Sequence, residues 1–392
     1  MKILWLASWY PDFYEPTNGD FIQRHAIAVS KIIPVDLIHV VQVGKNISTK
    51  EDYVYSKKGN LQEFIYSFAF RKWGWSWLDK IRYNIYFISY YRTVLNKYSR
   101  QYGKPDLIHV HVPMKAGMLA IEFSHRWKIP FIVSEHSSMY DRVAADNFLK
   151  RSYFFRTNTK KIFKNAAAVT NVSAAIGKKV QDIFGLKQTE VVHNVVATTR
   201  FYYQPNNERN VFRWLHVSSL YQLKNVEGII EAFKSLNQVR QDWELIIVGN
   251  ASQKLIDQVF ETGLSNKIKF VGELQHRDVA KQMMDASALV LFSRHENFPC
   301  VIIEALCCGV PVVSSNVGGV SEAVNDSNGL LVESENIEAL KNAFIFMIDN
   351  YHLYDLQQIS MDASKKYSEE VIGGQFVSLY RQVIANFSSN NK

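Results

Sequence analysis

The sequence predicts an α/β protein made of two consecutive doubly wound parallel sheets, each with helices on both faces. Three observations lead there. The chain has 392 residues, too many for one ordinary core and enough for two, since single cores stop growing at roughly 250–300 residues. Short apolar runs alternate with amphipathic stretches, the signature of strand–helix–strand units that assemble into a parallel sheet. The alternation pauses once, at Ala197–Asn210, where Pro205, Asn206 and Asn207 mark a polar, turn-rich linker.

In the first half the expected strands are Ile3–Ser8, Val35–Val41, Leu107–Val112, Phe131–Ser134, Ala167–Thr170 and Glu190–His193. Helical patterns fall between several of them, at Asp20–Lys31, Met114–Trp127 and Ala174–Phe184. The near-continuous apolarity of the strands fits a sheet buried on both faces. After the linker the expected order is strand Phe212–Val217, helix Val226–Leu236, strand Glu244–Val248 and helix Gln253–Glu261. Strand Ile268–Val271, helix Arg277–Asp285, strand Ala288–Phe292, helix Val301–Cys308 and strand Pro311–Ser314 follow. From Ile337 to Phe387 the pattern is mostly helical.

Composition narrows the function classes. Hydrophobic residues are 47% and charged residues 21% of the chain, both ordinary for a globular protein. No apolar run approaches 18 residues, so no transmembrane helix is expected. Met1–Tyr10 is apolar but short, and Asp12, Glu15 and Asp20 follow it without a small-residue cleavage site. It reads as a buried first strand and not as a signal peptide. The three cysteines, Cys300, Cys307 and Cys308, have neither disulfide nor zinc spacing. They read as small apolar residues in a reducing, cytoplasmic compartment. The net charge of +8 asks for an anionic partner: a nucleotide diphosphate or an anionic lipid headgroup. Nucleic acid is set aside because no nucleic-acid module is recognisable.

One stretch breaks the rhythm. Phe64–Tyr102 is dense in Phe, Trp and Tyr, with Arg71, Lys72, Lys80, Arg82, Arg92 and Lys97 among them. It reads either as an interfacial face that meets a membrane or lipid-borne acceptor, or as an aromatic-rich core helix with a solvated basic face.

Chemistry is expected in loops just after strands, because open α/β sheets bind ligands beyond the carboxyl ends of their strands. The strongest such segment runs from Arg294 to Pro311, after the strand ending at Phe292. Glu296 sits in its loop. Pro299 suits a helix's first turn, and the amides of Cys300 and Val301 would then open a helix start that receives an anion such as a diphosphate. Glu304 lies one to two turns in, where a carboxylate can accept hydrogen bonds from paired ribose hydroxyls. Two glutamates at this spacing, taken alone, also describe a solvated helix start.

Glu296 and Glu304, with Ala305, Gly309, Pro311 and Gly318-Gly319 after them, resemble the donor motif of the family 4 retaining glycosyltransferases, in which seven residues separate two glutamates. The resemblance covers nearly the whole chain. Trp9-Tyr10-Pro11 and Asn18-Gly19-Asp20-Phe21 resemble the family's N-terminal glycine loop. Ser134-Glu135-His136 resembles its histidine-bearing loop, and His193-Asn194-Val195 the end of its N-terminal domain. Val217–Asn225 and Ile247-Val248-Gly249 resemble its first two donor-side loops. The resemblance implies the GT-B fold: two Rossmann-like domains facing across a cleft, with a C-terminal helix that crosses back. The implied division is an acceptor-binding domain at 1–197, joined by 368–392, and a donor-binding domain at 198–367.

The same resemblance implies roles. Glu296 and His136 act at the transferred sugar, and Glu304 holds the ribose. Lys224 neutralises the diphosphate, with Ser218, Ser219, Gly249, Leu274, Asn297, Phe298, Pro299, Cys300 and Val301 completing the donor site. Asn18, Gly19 and Asp20 belong to the acceptor side. The implied donor is a nucleotide-diphosphate sugar, with UDP favoured. The implied acceptor is a polysaccharide or lipid-linked glycan, reached on the inner face of a membrane. No metal or cofactor is implied, because a lysine and oriented amides can carry the leaving group's charge. One departure stands out. Where the family often reads Gly-Arg-Leu, this chain has Ser218-Ser219-Leu220. The arginine's charge is missing, Ser219 can donate one hydrogen bond, and Arg294 is the residue left to compensate.

Bland alternatives stand beside these roles. Lys224 also reads as a surface lysine at a helix start, His136 as a satisfied loop histidine, and Gly19-Asp20 as a turn with an N-cap. His109 and His111 are structural or cleft-lining. Two other functions remain open at this point: a nucleotide-sugar epimerase, which would need further acid/base carboxylates, and a non-catalytic nucleotide-sugar-binding relative.

Overall fold

The computed structural model describes residues 1–43, 52–141, 147–205 and 211–390. The chain forms two compact units. One is Met1–Val172 with Ile176–His193 and the segment from Glu369 onward; the other is Asn194–Ser368 with Ser173–Ala175. Asn206 and Asn207 of the expected linker lie outside the described residues.

The first unit runs β1 (Ile3–Ala7), α1 (Asp20–Ser30), β2 (Val35–Val43), β3 (Asp52–Lys58), β4 (Leu61–Ala69), α2 (Ser76–Tyr102), β5 (Leu107–His111) and α3 (Ala116–Trp127). It continues through β6 (Phe131–Glu135), α4 (Tyr153–Asn165), β7 (Ala168–Asn171), α5 (Ala174–Phe184) and β8 (Glu190–Val191). Its eight strands lie in the order β3-β4-β2-β1-β5-β6-β7-β8. All pairs are parallel except the β3–β4 hairpin. β1, β5 and β6 are buried along their whole length, as strands covered by helices on both faces must be.

Phe64–Tyr102 is not one helix. Phe64, Tyr66 and Phe68 belong to β4, which pairs in parallel with β2 and buries all three rings. Aromatic side chains at every second residue favour a pleated, half-buried strand over a helix. The helix α2 begins only at Ser76, and its buried stripe is Phe87, Tyr91, Val94, Leu95 and Tyr98.

The second unit contains β9 (Phe212–Val217), α6 (Val226–Leu236), β10 (Trp243–Val248), α7 (Gln253–Glu261), β11 (Ile268–Phe270), α8 (His276–Met284), β12 (Ala288–Leu291) and α9 (Cys300–Cys307). It ends with β13 (Val312–Ser315), β14 (Gly329–Val332), α10 (Ile337–Asp349) and α11 (Leu356–Tyr367). The strand order is β11-β10-β9-β12-β13-β14, all parallel. Phe233 anchors the core, 4.4 Å from the Phe344 ring and 4.7 Å from Trp243. Cys307 and Cys308 are buried at the end of α9, and burial pushes the Cys307 thiol up to about 12.

The last helix, α12 (Glu369–Asn390), groups with the first unit and lies against α1. Gly373 permits this approach, since a Cβ there would sit 2.6 Å from the Ala28 carbonyl oxygen. Lys31 Nζ donates to Glu369 Oε2 at 2.7 Å, and the Tyr380 hydroxyl reaches His109 Nδ1 at 2.7 Å.

The strand orders decide where ligands can bind. In each sheet the chain leaves a central strand toward one edge and returns to its other side: between β1 and β5 in the first unit, and between β9 and β12 in the second. Loops that follow two such neighbouring strands part and open a crevice.

Candidate functional site

In the second unit the loops after β9 and β12 hold most of the expected donor residues. His216, fully buried near the end of β9, has Nδ1 2.9 Å from the Val290 carbonyl oxygen and Nε2 2.8 Å from Ser218 Oγ. A carbonyl only accepts, so Nδ1 carries the proton and Ser218 donates to Nε2. Burial lowers the imidazole to about 4, which keeps it neutral. Ser218 Oγ also accepts from the Leu220 amide at 3.1 Å. Its hydroxyl is therefore occupied inside the loop, while Ser219 is exposed. His216 was not expected here; its only sequence signal is a histidine at the ligand end of a strand.

Lys224 ends a short turn, Gln222–Lys224, that leads into α6. Its Nζ donates to Glu296 Oε1 at 2.6 Å, and Ser293 Oγ donates to the same oxygen at 2.7 Å. Glu296 is only 8% exposed. Among the described residues no protein group bonds its other oxygen, Oε2, which leaves that atom as an acceptor.

Arg294 does not stand in for the missing arginine. Its Nε meets Glu335 Oε1 at 2.9 Å, Nη2 donates to Asn225 Oδ1 at 2.9 Å, and Nη1 donates to the Gln222 carbonyl. Its amide donates to the Leu223 carbonyl at 2.8 Å. The guanidinium fastens the Lys224 turn to the β12 loop, so it positions the lysine.

Gly318 and Gly319 press on the loop from the other side. A Cβ on Gly318 (φ +57°) would lie 1.7 Å from the Glu296 carbonyl oxygen. The Gly319 amide donates to the Asn297 carbonyl at 3.1 Å. Phe298 is buried with its ring 5.8 Å from Tyr367, and its carbonyl accepts from Asn194 Nδ2 at 2.7 Å. Pro299 caps α9 in an extended conformation, so the helix starts at Cys300. The Cys300 and Val301 amides stand in its first turn, at the positive end of the helix dipole. Glu304, buried, is four residues on from Cys300 and on the same helix face. Gly249 closes on the β9 loop, since a Cβ there would sit 2.2 Å from the Ser218 carbonyl oxygen. Leu274 stands apart, half-buried in the loop after the edge strand β11.

In the first unit, Glu135 organises the histidine loop. It accepts from the His136 amide at 2.8 Å, the Ser137 amide at 2.7 Å and the Tyr140 hydroxyl at 2.6 Å. Burial raises its carboxyl to about 7 against the pull of these donors. His136 stacks on His111, with 3.3 Å between Nε2 and His111 Nδ1, and lies near Phe21 and His25. Burial holds His25, His109, His111 and His136 well below the usual imidazole range. His109 is structural, bonded to Tyr380 and to Ser134 Oγ at 2.6 Å. Gly19 (φ +66°) caps α1 with no side-chain bond, and a Cβ on it would lie 2.7 Å from the Trp9 carbonyl carbon. Asp20 pairs with Arg24 at 2.8 Å and is not the cap. Among the described residues no three His, Cys, Asp or Glu side chains are arranged to hold a metal ion.

Two doubly wound units, one with a paired lysine and glutamate beside a helix start at its switch point, define a class: α/β proteins that take an anionic ligand at their strand ends. The comparisons resolve the class into a family. Residues 52–200 match the description Glycosyltransferase Family 4, and residues 198–366 match Glycosyl transferases group 1. An uncharacterized glycosyltransferase of Methanocaldococcus jannaschii is 31% identical over 268 residues, covering 68% of this chain and 72% of its own. The putative teichuronic acid biosynthesis glycosyltransferase TuaC of Bacillus subtilis is 24% identical over 93% of this chain and 96% of its own. The solved structure of Anabaena HepE in complex with UDP covers 97% of this chain and 100% of its own, with a TM-score of 0.71 at 19% identity. This chain belongs to the family 4 glycosyltransferases and has their GT-B fold.

Proposed function

We propose that the chain is a retaining glycosyltransferase that moves a sugar from a UDP-sugar to a hydroxyl of a polysaccharide or lipid-linked glycan precursor. The observation that carries this reading is the Lys224–Glu296 pair, 2.6 Å apart at the β9/β12 switch point beside the start of α9. In transfer the leaving group is a nucleoside diphosphate on which negative charge grows. A lysine and helix-start amides held in place beforehand stabilise that charge. Glu296 Oε2 is free to accept from a sugar hydroxyl, and Glu304 is placed on α9 for the ribose. The role of His136 at the transferred sugar rests on the family resemblance. The UDP bound in the HepE structure supports the nucleotide, and the TuaC name supports a polysaccharide product. Retention rests on the family resemblance. Glu296→Ala should lower transfer from a UDP-sugar by about 100-fold or more, by analogy with the loss of a preorganised charge-stabilising group. Unchanged transfer or donor hydrolysis would remove Glu296 from the mechanism, and the product's anomeric proton in NMR would decide retention.

The same proposal seats the enzyme on the cytoplasmic face of an anionic membrane. Trp73, Trp75 and Trp77 are 66%, 66% and 63% exposed, with Ile81 and Ile85 continuing the apolar face along α2 and Arg71, Lys72 and Lys80 around it. The turn is built: Asp79 accepts from the Trp73 and Gly74 amides at 2.9 and 3.0 Å, and the Arg82 guanidinium lies 3.2 Å from the Trp73 ring centroid. Exposed tryptophans with basic neighbours suit a headgroup layer. No helix among the described residues is long and apolar enough to cross a membrane. The chain should float with vesicles containing anionic lipid at low salt, and triple replacement of the tryptophans by serine should abolish this. Absence of wild-type flotation would refute the membrane seat.

A further inference from the structure

The switch point of the first unit also opens a crevice. The loops after β1 and β5 part around a cavity of about 320 Å³, with Trp9 and Asn18 from one loop and Lys115 from the other in its walls. Tyr83 and Phe87 of α2 face it, as does Arg151. That volume is at the low end for a small-molecule site and fits one or two sugar rings.

Lys115 is the unusual member. Its backbone has φ +66°, and Val112, three residues earlier in the same turn, has φ +63°. Left-handed backbone at a β-branched residue is a strained conformation that surrounding structure must enforce, and such strain concentrates at ligand sites. The enforced result is an ammonium on the cavity wall. Nζ lies 4.3 Å from the Tyr83 ring centroid and 4.5 Å from that of Phe87, and donates to the Tyr83 hydroxyl at 3.2 Å. No carboxylate pairs with it among the described residues. Burial alone lowers it to about 8. The Arg151 guanidinium lies 5.3 Å from the Phe155 ring centroid. No aspartate or glutamate lines the cavity among the described residues. A half-buried lysine in a crevice whose described walls hold no carboxylate complements an anion.

We propose that this cavity is the acceptor subsite and selects an acceptor carrying an anionic group, a carboxylate or a phosphate on the sugar, held by Lys115 between aromatic walls. The proposal rests on the chain's being a glycosyltransferase, and it names the acceptor's chemistry. The direct test measures binding of methyl glucoside, methyl glucuronide and methyl glucoside 6-phosphate to the full chain saturated with UDP, which keeps phosphate out of the donor site. At least one anionic glycoside should bind about tenfold or more tightly than the neutral one, as expected for a charge-assisted contact. Preference for the glucuronide points to a uronic acid, and preference for the phosphate points to a phosphorylated acceptor. Lys115→Met should erase the preference and Lys115→Arg should keep it, with UDP affinity unchanged in both as a sign of an intact fold. Equal binding of all three, binding of none, or a preference that survives Lys115→Met overturns the proposal. Failure of UDP itself to bind would instead strike the donor-site reading.

Discussion

Five imidazoles, those of His25, His109, His111, His136 and His216, are buried and neutral, and each leaves a mark on how stability responds to acid. Burial lowers His25 and His216 to about 4, against about 6.5 in an unfolded chain. As pH falls below 6.5 the unfolded state takes up these protons and the native state does not. The histidines' contribution is therefore complete above pH 6.5 and is lost on the way down to 4. Glu135 works in the opposite sense. Its folded value is about 7, so its contribution is present below about 4.5 and is lost as pH rises through 7. Five groups outweigh one. The unfolding free energy of the first unit, which holds four of the five, should fall between pH 6.5 and 4, with His25 alone contributing on the order of 3 kcal/mol from its drop to about 4. Denaturant titrations at pH 7, 6, 5 and 4.5 would show it, and His25→Gln should flatten the slope. Stability that rose on acidification would contradict the assigned neutral states.

At the scale of elements, the donor site depends on loops that touch through backbone. Gly318 is the tightest contact, with left-handed backbone and 1.7 Å between its would-be Cβ and the Glu296 carbonyl oxygen. Gly318→Ala must push the Glu296 loop away. It should cost about 2–4 kcal/mol of stability in the second unit and weaken UDP binding with it; a variant that melts and binds like wild type would show that the loop yields at no cost. Such contacts also mark what a sequence can disclose. β1, β5, β6, β10 and β12 were legible because strands buried on both faces are short runs of apolar residues between turns. β4 was not, because its aromatic residues run on toward those of α2. β14 was missed as a four-residue edge strand that opens on a glycine. The Glu296–Glu304 helix start was legible as a local pattern, with its opening one residue earlier than expected. The Lys224–Glu296 bond spans 72 residues and needs the β9/β12 adjacency. The direction of Arg294 depends on Glu335 and the Gln222–Asn225 turn, and nothing in its own neighbourhood announces either.

Across the whole molecule, two sheets of one design carry different chemistry at equivalent places. The β9/β12 crevice has a lysine already matched to a glutamate and the start of a helix. The β1/β5 crevice has basic side chains and no carboxylate in its described walls. A basic surface, net +8 over the chain, suits a protein whose donor, acceptor and supporting membrane are all read as anionic. The measurement that tests the central claim most directly is a thermal-shift series with UDP, GDP, ADP, TDP and CMP on wild type, Glu304→Gln and Lys224→Met. UDP at about 100 times its Kd should stabilise wild type by about 2.7 kcal/mol, a shift of roughly 5–10 °C for a unit of this size. Both variants should melt near the unliganded wild type and lose most of that shift. No shift with any nucleotide, or a full shift in Glu304→Gln and Lys224→Met, would contradict a donor site at the β9/β12 switch point.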